Sequence, residues 1–236
     1  MKRLLLATTV SAAAIMPAFA QDMGHGDDPA PTIFNNIRTE LDYAPKDGGL
    51  FTWDVDGWIG GDSERVWIRS EGEREDGSFT DAEVQLYYGW NVDTYWDVLI
   101  GVRQEFEPGN RTYLAASIVG LAPYFFETDA SAFLSDRGDL SVRLEQSFDL
   151  LLTQRLIAEP HFEANLFAQD VPELNVGAGI SDIEIGLQLR YEFTRRFAPY
   201  VDVVWERKLG ETSGLARAAG ESPDATSVHF GVRLMF

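Results

Sequence analysis

The stretch IEIGLQLRYEF, residues 183–193, alternates apolar and polar or glycine positions for eleven residues without a break. A period of two predicts a β-strand with two unlike faces, one apolar and one that carries Glu184, Arg190 and Glu192. Strands of soluble proteins average about 5–6 residues, whereas tilted strands of about 9–11 residues cross a bilayer. The length and the alternation together therefore predict a membrane-spanning strand with its apolar face toward lipid.

The same kind of segment recurs along the chain, with no helical stretch predicted between the segments. Each is about ten residues long, and most of them alternate. The twelve predicted strands are 34–43, 50–59, 64–72, 82–90, 95–106, 111–119, 124–134, 140–151, 155–167, 182–193, 197–208 and 226–236.

The connections between these strands alternate between short and long. GGDS, NVDT, GLAP, TQ and TRR are short, whereas EREDGSFTD, AQDVPELNVGAGIS and GETSGLARAAGESPDA are long and polar. This is the plan of outer-membrane barrels. An even strand count places both ends of the barrel at the short-turn side, where Phe236 closes an aromatic strand. The sequence thus predicts an all-β fold, a transmembrane antiparallel β-barrel of about twelve strands over residues 34–236, in the bacterial outer membrane.

A soluble, lipocalin-like barrel would also alternate, with its two faces exchanged. Twelve strands would then enclose an apolar interior far wider than side chains can fill. The aromatic residues Trp53, Trp96, Tyr191 and Phe193 would also lie near strand ends without a reason. In a membrane such residues form interfacial girdles. The pattern favours the membrane barrel.

The first twenty residues resemble a cleaved secretion signal. Lys2 and Arg3 are followed by an apolar core, and Ala18-Phe19-Ala20 provides a small-x-small cleavage site. We expect the mature chain to start at Gln21. Residues 21–33 are polar and rich in glycine and proline, which predicts a flexible periplasmic lead-in before the barrel.

The chain is strongly acidic, with a net charge of −19, and contains no cysteine. Such a surface repels nucleic acid and attracts cations, so we expect no nucleic-acid partner and expect outer-membrane lipid around the barrel. Disulfides, thiolate metal sites and cysteine nucleophiles are excluded.

Many charged residues fall on the polar face of the strands, where we expect them to line the lumen. They allow two interpretations: a ladder of Arg–carboxylate pairs that stiffens and fills the barrel, or a path for cations, because acidic positions outnumber basic ones. The acidic candidates are Asp54, Asp56, Glu83, Asp97, Glu105, Glu127, Glu145, Glu163, Glu184, Glu192, Asp202 and Glu206, and the basic ones are Arg69, Arg103, Arg143, Arg190, Lys208 and Arg233.

Residues suited to soft metal ions are few, since the chain has three histidines and few methionines. His161 shares a strand face with Glu159 and Glu163, two residues away on either side, a set that suits copper(II). A lone inward histidine can equally be a hydrogen-bonded lining residue. The candidate metal ligands are His161, Glu159, Glu163, His229, Met23 and His25, the last two in the lead-in.

Hydrolysis is the other chemistry to consider. Ser227 and His229 lie two residues apart, a spacing found in some outer-membrane lipases, but such a pair must face the lipid, and here both residues fall on the lumen face. The sequence has no G-x-S-x-G, P-loop or H-E-x-x-H motif. We therefore expect no enzymatic activity.

Several stretches resemble the copper resistance protein B family, and together with the final strand they span nearly all of residues 34–236. They are WDVDGWIGGDSERVWIRSEGE (53–73), GLAPYFFETDASAFL (120–134), FDLLLTQRLIAEPHFEANLF (148–167), GISDIEIGLQLRYEF (179–193), FAPYVDVVWERKLGET (197–212) and ARAAGE (216–221).

The resemblance implies an outer-membrane barrel that confers copper tolerance, with a transiently bound copper ion and with periplasmic copper-handling proteins as partners. Family members often carry a long Met- and His-rich extension, which is here reduced to Asp22-Met23-Gly24-His25-Gly26. Copper capture would then be weak or confined to the barrel. We expect a barrel of copper homeostasis that binds or passes copper ions; the alternative is a general structural or nutrient barrel with no metal role.

Overall fold

The computed structural model describes residues 32–45 and 49–236. One antiparallel sheet accounts for most of them. Its strands are β1 Phe34–Ala44, β2 Leu50–Gly60, β3 Glu64–Glu75, β4 Ser78–Asp93, β5 Trp96–Glu107, β6 Arg111–Ala122, β7 Phe126–Ser135, β8 Leu140–Ser147, β9 Leu150–Leu151, β10 Leu156–Phe167, β11 Gly179–Tyr191, β12 Phe197–Lys208 and β13 Asp224–Met235.

The sheet closes on itself through the pairing of β1 with β13. β8 and β9 follow each other along the same edge of β10, so the 13 strand segments make twelve barrel strands. Beyond β13, the backbone of Phe236 exchanges two hydrogen bonds with Ile37, at 3.1 and 2.9 Å. A closed ladder leaves no strand edge unpaired, which is what a bilayer demands of a β-protein. The predicted transmembrane antiparallel barrel of about twelve strands is confirmed.

The two ends of the barrel differ. At one end, which we call the turn end, the strands are joined by short links, including a 3₁₀ turn at Pro123–Phe125. At the opposite, loop end lie the connection 168–178, with a 3₁₀ turn at Pro172–Leu174, and the connection after β12. β1 begins and β13 ends at the turn end.

The alternation seen in the sequence sorts side chains between two environments. In β11, Leu187 is 50% exposed, whereas Gln188 and Arg190 are 4% exposed. Aromatic side chains on the outer surface form contacts near the turn end, such as Tyr191 with Phe193 at 5.1 Å between ring centroids. The outer face is thus the apolar, lipid-facing one and the inner face the polar one.

Two connections differ from the prediction. The linker after β12 contains a helix, α1, Gly210–Ala219, so the expectation of no helix between strands was wrong. Its end is set by Gly220, which adopts φ +84° and caps Ala216 and Arg217. The predicted long loop EREDGSFTD is instead a tight hairpin, because Asp76 and Gly77 both take positive φ, the conformation of a two-residue turn.

Among the residues that the structure describes, no helix has the length and apolar content needed to cross a membrane. The predicted signal peptide, residues 1–20, and most of the predicted lead-in, residues 21–33, lie outside the described residues.

The two faces of β11 give a direct test of the lipid-facing assignment. Leu187→Arg should lower the free energy of unfolding by about 2–4 kcal/mol, since it places a cation in the bilayer core. Glu184→Arg, on the same strand but lining the lumen, should cost much less, because it meets water and carboxylates. Reversible denaturant unfolding in lipid vesicles measures both values, and equal costs would show that the faces are misassigned.

Candidate functional site

One side of the lumen is filled by apolar and aromatic side chains. Tyr87, Leu99, Tyr113, Ala115 and Phe133 point inward from β4, β5, β6 and β7, and each is at most 4% exposed. They form the buried cluster of the barrel, which we call the aromatic plug. The plug leaves the opposite side of the lumen, toward β8 to β13, β1 and β2, as the space where polar groups and ions can be accommodated.

Guanidinium groups lie against this plug. The Cζ atom of Arg103 is 5.0 Å from the ring centroid of Tyr113 and 4.8 Å from that of Phe133. Arg69 lies 5.4 Å from the ring of Tyr87. Such cation–π contacts are worth more in a desolvated interior than at a surface. Arg69 and Arg103 therefore pack against the aromatic plug as well as meeting the acids of the lumen.

Five carboxylates occupy directly opposed positions on neighbouring strands. Asp129 in β7 is the cross-strand partner of Glu145 in β8, Glu145 of Glu163 in β10, Glu163 of Glu184 in β11, and Glu184 of Glu206 in β12. We call this set the carboxylate row. Like charges directly opposite each other in a sheet are destabilising. A row of five opposed acids is therefore a feature that folding alone does not favour.

Basic groups meet part of the carboxylate row. Arg69 Nη2 lies 2.5 Å from Asp129 Oδ2, and the guanidinium of Arg143 lies 3.9 Å from Glu145 and 3.7 Å from Glu163. Arg143 also bonds to Glu71 across the lumen at 3.0 Å. These contacts reduce the repulsion within the row but leave the wall dominated by carboxylates.

A cavity of about 890 Å³ lies against this wall. Residues at strand ends of the turn end, such as Asn36 and Met235, line one part of it, and Glu163, Glu184 and Asp202 line another. The cavity thus runs from the turn end to the middle of the barrel. Acidic side chains converge on it without closing it.

A second network of charges narrows the lumen near Glu159. This residue is 7% exposed and pairs with both Arg190 and Arg233, the latter at 2.8 Å. Arg233 in turn lies 2.6 Å from Glu40. Two guanidiniums on one carboxylate neutralise it, so Glu159, predicted as a metal ligand, is placed in an ion-pair network.

His161 lines the cavity, but the carboxylates nearest to its ring are not the predicted Glu159 and Glu163. Its Nε2 atom lies 3.7 Å from Glu184 Oε1 and 3.7 Å from Asp202 Oδ2, whereas Glu163 is approached by Arg143 and Asn165. Among residues 32–45 and 49–236, no three His, Asp or Glu side chains converge closely enough to hold a metal ion by themselves. The structure therefore does not assemble Glu159, His161 and Glu163 into a cage.

His229 has both ring nitrogens engaged. Nδ1 lies 2.8 Å from Asp42 Oδ1, and Nε2 lies 2.7 Å from Ser227 Oγ. Asp42 also accepts hydrogen bonds from Thr52 at 2.5 Å and from Tyr200 at 3.0 Å. Because Asp42 accepts from Nδ1, Nε2 is the nitrogen left to accept from the serine hydroxyl. A metal ion would have to break one of these bonds to reach His229.

The structure places most of the other predicted lumen charges around the same cavity. Arg103 and Arg143 face the lumen through their ion pairs with Glu83, and Glu206 faces it as the partner of Glu184. Met23 and His25 lie outside the described residues. Predicted lumen charges that line the cavity are Asp54, Asp56, Arg69, Glu127, Glu145, Glu163, Glu184, Arg190, Glu192, Asp202 and Arg233.

The sequence analysis missed several inward carboxylates, among them Glu40, Asp42, Glu71, Asp129 and Asp149. Glu40 and Asp42 alternate with apolar residues in β1, so extending the period-two argument to that strand would have found them. Glu71 lies two residues after Arg69, and Asp129 two residues after Glu127, so each shares the inward strand face of a residue that was predicted to line the lumen.

The connection 168–178 folds into the loop end. Its Glu173 Oε2 lies 2.5 Å from Arg111 Nη2 and also pairs with Arg137. Arg111 belongs to β6, which two strands separate from β10, and its side chain is 1% exposed. An inward arginine at a strand end can be buried only if something covers it, so this connection forms a lid on the plug side, latched by Glu173. Thr212 of α1 supports the lid by accepting a hydrogen bond from Gly177 N at 3.0 Å.

Comparison with solved structures defines the class of protein. The barrel superposes on the NanC porin with a TM-score of 0.55 at 14% identity, over 85% of this chain and 99% of that one. The KdgM porin gives a TM-score of 0.52 at 11% identity, over 84% and 99%. The protein is thus a porin-like β-barrel, a fold consistent with a location in the bacterial outer membrane.

Sequence comparison then gives the family. Residues 34–236 match the family described as Copper resistance protein B precursor. Copper resistance protein B of Escherichia coli is 40% identical over 221 residues, 93% of this chain and 75% of that protein. A homolog from Pseudomonas syringae pv. tomato is 44% identical over 191 residues, 80% of this chain and 65% of that protein. The chain belongs to the copper resistance protein B family, which supports a role in copper resistance and suggests a non-enzymatic protein.

The latch at the loop end can be tested by removing one charge. Glu173→Gln should loosen the lid and raise the mean single-channel conductance roughly two- to fivefold, since an exposed ion pair contributes up to about 1 kcal/mol. Glu221→Gln is the matched control, because Glu221 is as exposed as Glu173 and pairs only with Lys208 among the described residues, at 3.2 Å. A larger effect of the control, or none of Glu173→Gln, would remove the lid assignment.

Proposed function

We propose that this barrel passes copper(II) ions across the outer membrane along the acidic side of its lumen, and that this passage is its contribution to copper homeostasis. The observation that carries the proposal is the carboxylate row, Asp129 to Glu206, beside an open cavity. A pore without an energy source moves ions only down their concentration gradient. The gradient of copper across the membrane therefore sets the direction of flow.

The donor atoms of the lumen favour copper(II) over copper(I). The chain has no cysteine, and the soft thioether ligands that copper(I) prefers are few. Carboxylates and imidazole, which line the cavity through Glu184, Asp202 and His161, suit divalent ions. Copper(II) stands near the top of the affinity order of the divalent first-row metals, so such a wall holds it longer than it holds most competitors.

The field of the wall supports conduction. Carboxylates in a narrow space with low-dielectric walls raise the local concentration of cations and repel anions. The arginines that could counter this field are engaged by acids or stacked on the aromatic plug, as Arg103 is with Glu83 and Phe133. Conduction requires binding that is strong enough for entry and weak enough for exit, and a distributed row meets both requirements.

One observation favours the alternative, a general structural or nutrient barrel with no metal role. The aromatic plug and the ion pairs of Glu159 with Arg190 and Arg233 stiffen the barrel whatever passes through it. A deletion strain separates the two functions. Copper-specific sensitivity or tolerance, compared with zinc and osmotic stress, supports the copper path, whereas an unspecific envelope defect supports the alternative.

The proposal implies two kinds of partner, a lipid and a protein. Outer-membrane lipid surrounds the apolar face, and ions leaving the turn end would be taken up or supplied by periplasmic copper-handling proteins. The mouth of the cavity at the turn end, near Asn36 and Met235, is the surface that such a protein would meet.

Charge selectivity tests the path itself. In a planar bilayer under a salt gradient, the wild-type barrel should show a zero-current potential of the sign expected for cation preference. The double variant Glu163→Gln and Glu184→Gln should reduce that preference severalfold, because it removes two adjacent members of the carboxylate row. Glu221→Gln, which removes a charge from the loop end, should leave it nearly unchanged. An anion-selective wild type would contradict the proposed function.

A further inference from the structure

Asp202 is a buried carboxylate that lacks a full set of hydrogen-bond donors among the described residues. It lies in β12, lines the cavity, and is 8% exposed. Its Oδ1 atom is buried and meets no hydrogen-bond donor among the residues that the structure describes. Its Oδ2 atom lies 3.7 Å from His161 Nε2, which is beyond hydrogen-bond distance. Buried polar groups are nearly always hydrogen-bonded, so an exception of this kind calls for an explanation.

Glu105 shows that this situation is specific to Asp202. Its Oε1 atom also lacks a donor, but its Oε2 atom accepts a hydrogen bond from Tyr113 at 3.0 Å and pairs with Arg103 at 3.3 Å. The carboxylate of Glu105 is therefore stabilised through its other oxygen. Among the described residues, Asp202 has one basic group within 4 Å, the imidazole of His161, at a distance that leaves a gap between them; the imidazole of His229, on the neighbouring strand, also acts on its charge.

The backbone is shaped to bring His161 to this gap. His161 in β10 is the cross-strand partner of Gly186 in β11, and a Cβ atom built on Gly186 would lie 1.9 Å from His161 Nε2. The imidazole thus lies across β11, in space that only glycine leaves free, and so reaches Asp202 on the next strand. Glycine inside a strand often marks such a close approach.

The imidazole and either carboxylate of this cluster are separated by nearly the same distance as two ligands of one metal ion. Nε2 of His161 lies 3.7 Å from oxygens of both Asp202 and Glu184. Imidazole nitrogen and carboxylate oxygen each bind a zinc-sized divalent ion at about 2.0–2.2 Å. Two such ligands of one ion therefore lie roughly 3.4 Å apart in a tetrahedral site and roughly 3 Å apart as neighbours in the square-planar arrangement that copper(II) prefers. A side-chain shift of less than about 1 Å would close the difference in either geometry.

We propose that His161, with Asp202 and Glu184 on either side, forms a transit site for a divalent transition-metal ion, bound by the imidazole and one carboxylate at a time and completed by water. The site rests on the proposed function, since it would be the step at which the acidic path distinguishes copper(II) from hard cations such as magnesium. Imidazole binds copper well and magnesium poorly, whereas carboxylates alone accept both.

The geometry defines a transit site and not a storage site. No three acidic or histidine side chains within residues 32–45 and 49–236 can hold an ion together, so an ion bound by His161 keeps water ligands and is released readily. His229 does not substitute, because its nitrogens are bonded to Asp42 and Ser227. Cross-strand pairing puts His229 opposite Asp202, which makes it a matched control at nearly the same depth.

The test uses the full mature barrel in detergent, titrated with copper(II) and followed by electron paramagnetic resonance, which detects nitrogen ligands through their hyperfine coupling. All variants carry His25→Asn, so that the lead-in contributes no imidazole. The parent should bind one copper ion with coupling to a single nitrogen. His161→Asn should remove that coupling and weaken binding at least about tenfold. Asp202→Asn and Gly186→Ala should weaken binding while His161 remains, and His229→Asn should change neither quantity.

The possible outcomes distinguish a failure of the His161 transit site from a failure of the proposed copper path. If His161→Asn keeps the nitrogen coupling and the affinity, or if His229→Asn loses them, the transit site is overturned. If the site fails while the barrel still prefers cations in a bilayer, the path stands without it. If the barrel is anion-selective, the proposed function fails as well. Heat-modifiable gel migration of each variant verifies that the barrel has folded, and Gly186→Ala tests the positioning of the imidazole without removing any ligand.

Discussion

Closure of the antiparallel ladder through β1 and β13 is the constraint on which the rest of the structure depends. In a bilayer every strand must pair on both sides, since no water is present to satisfy a free edge. Closure fixes the register of each strand, and the register decides which side chains face lipid and which are direct neighbours inside. The opposition of Glu163 and Glu184, for example, is a consequence of how β10 and β11 pair.

The lumen of the barrel has an aromatic side and an acidic side. On the side of β4 to β7, aromatic rings and the guanidiniums stacked on them fill the space, as Phe133 and Arg103 do. On the other side, carboxylates face one another and an open cavity. Repulsion among the acids costs stability, and the plug and the buried ion pairs offset it. Under the proposed function, a division of this kind would confine passing ions to one wall of the lumen, close to His161.

The sequence predicted the architecture well because the signals of a barrel strand are local in the sequence. A period of two, an apolar face and a turn or loop at each end are all readable within ten residues, and the twelve strands follow from them. The helix α1 was missed because Gly210 and Gly214 weaken an already short segment, although Ala218, Ala219 and the capping Gly220 were signals in its favour. The turn at residues 76–77 was also readable, since Asp-Gly is a strong hairpin signal.

The candidate site was predictable only in part, for a physical reason. Periodicity within one strand identifies the neighbours of His161 as Glu159 and Glu163, two residues away along the chain. The neighbours across the sheet depend on register, which closure sets and a single sequence does not show. Asp202 was predicted to face inward, but its position beside His161 required knowing that Gly186 lets the imidazole cross β11.

The central claim is that copper(II) moves along the acidic wall of the lumen. Crystals of the barrel soaked in copper(II) and measured at the copper absorption edge would locate the metal through its anomalous scattering. Anomalous peaks inside the lumen, beside the carboxylate row and next to His161, are the predicted result. Peaks confined to the outer surface or the loops, with none along the wall, would contradict the account.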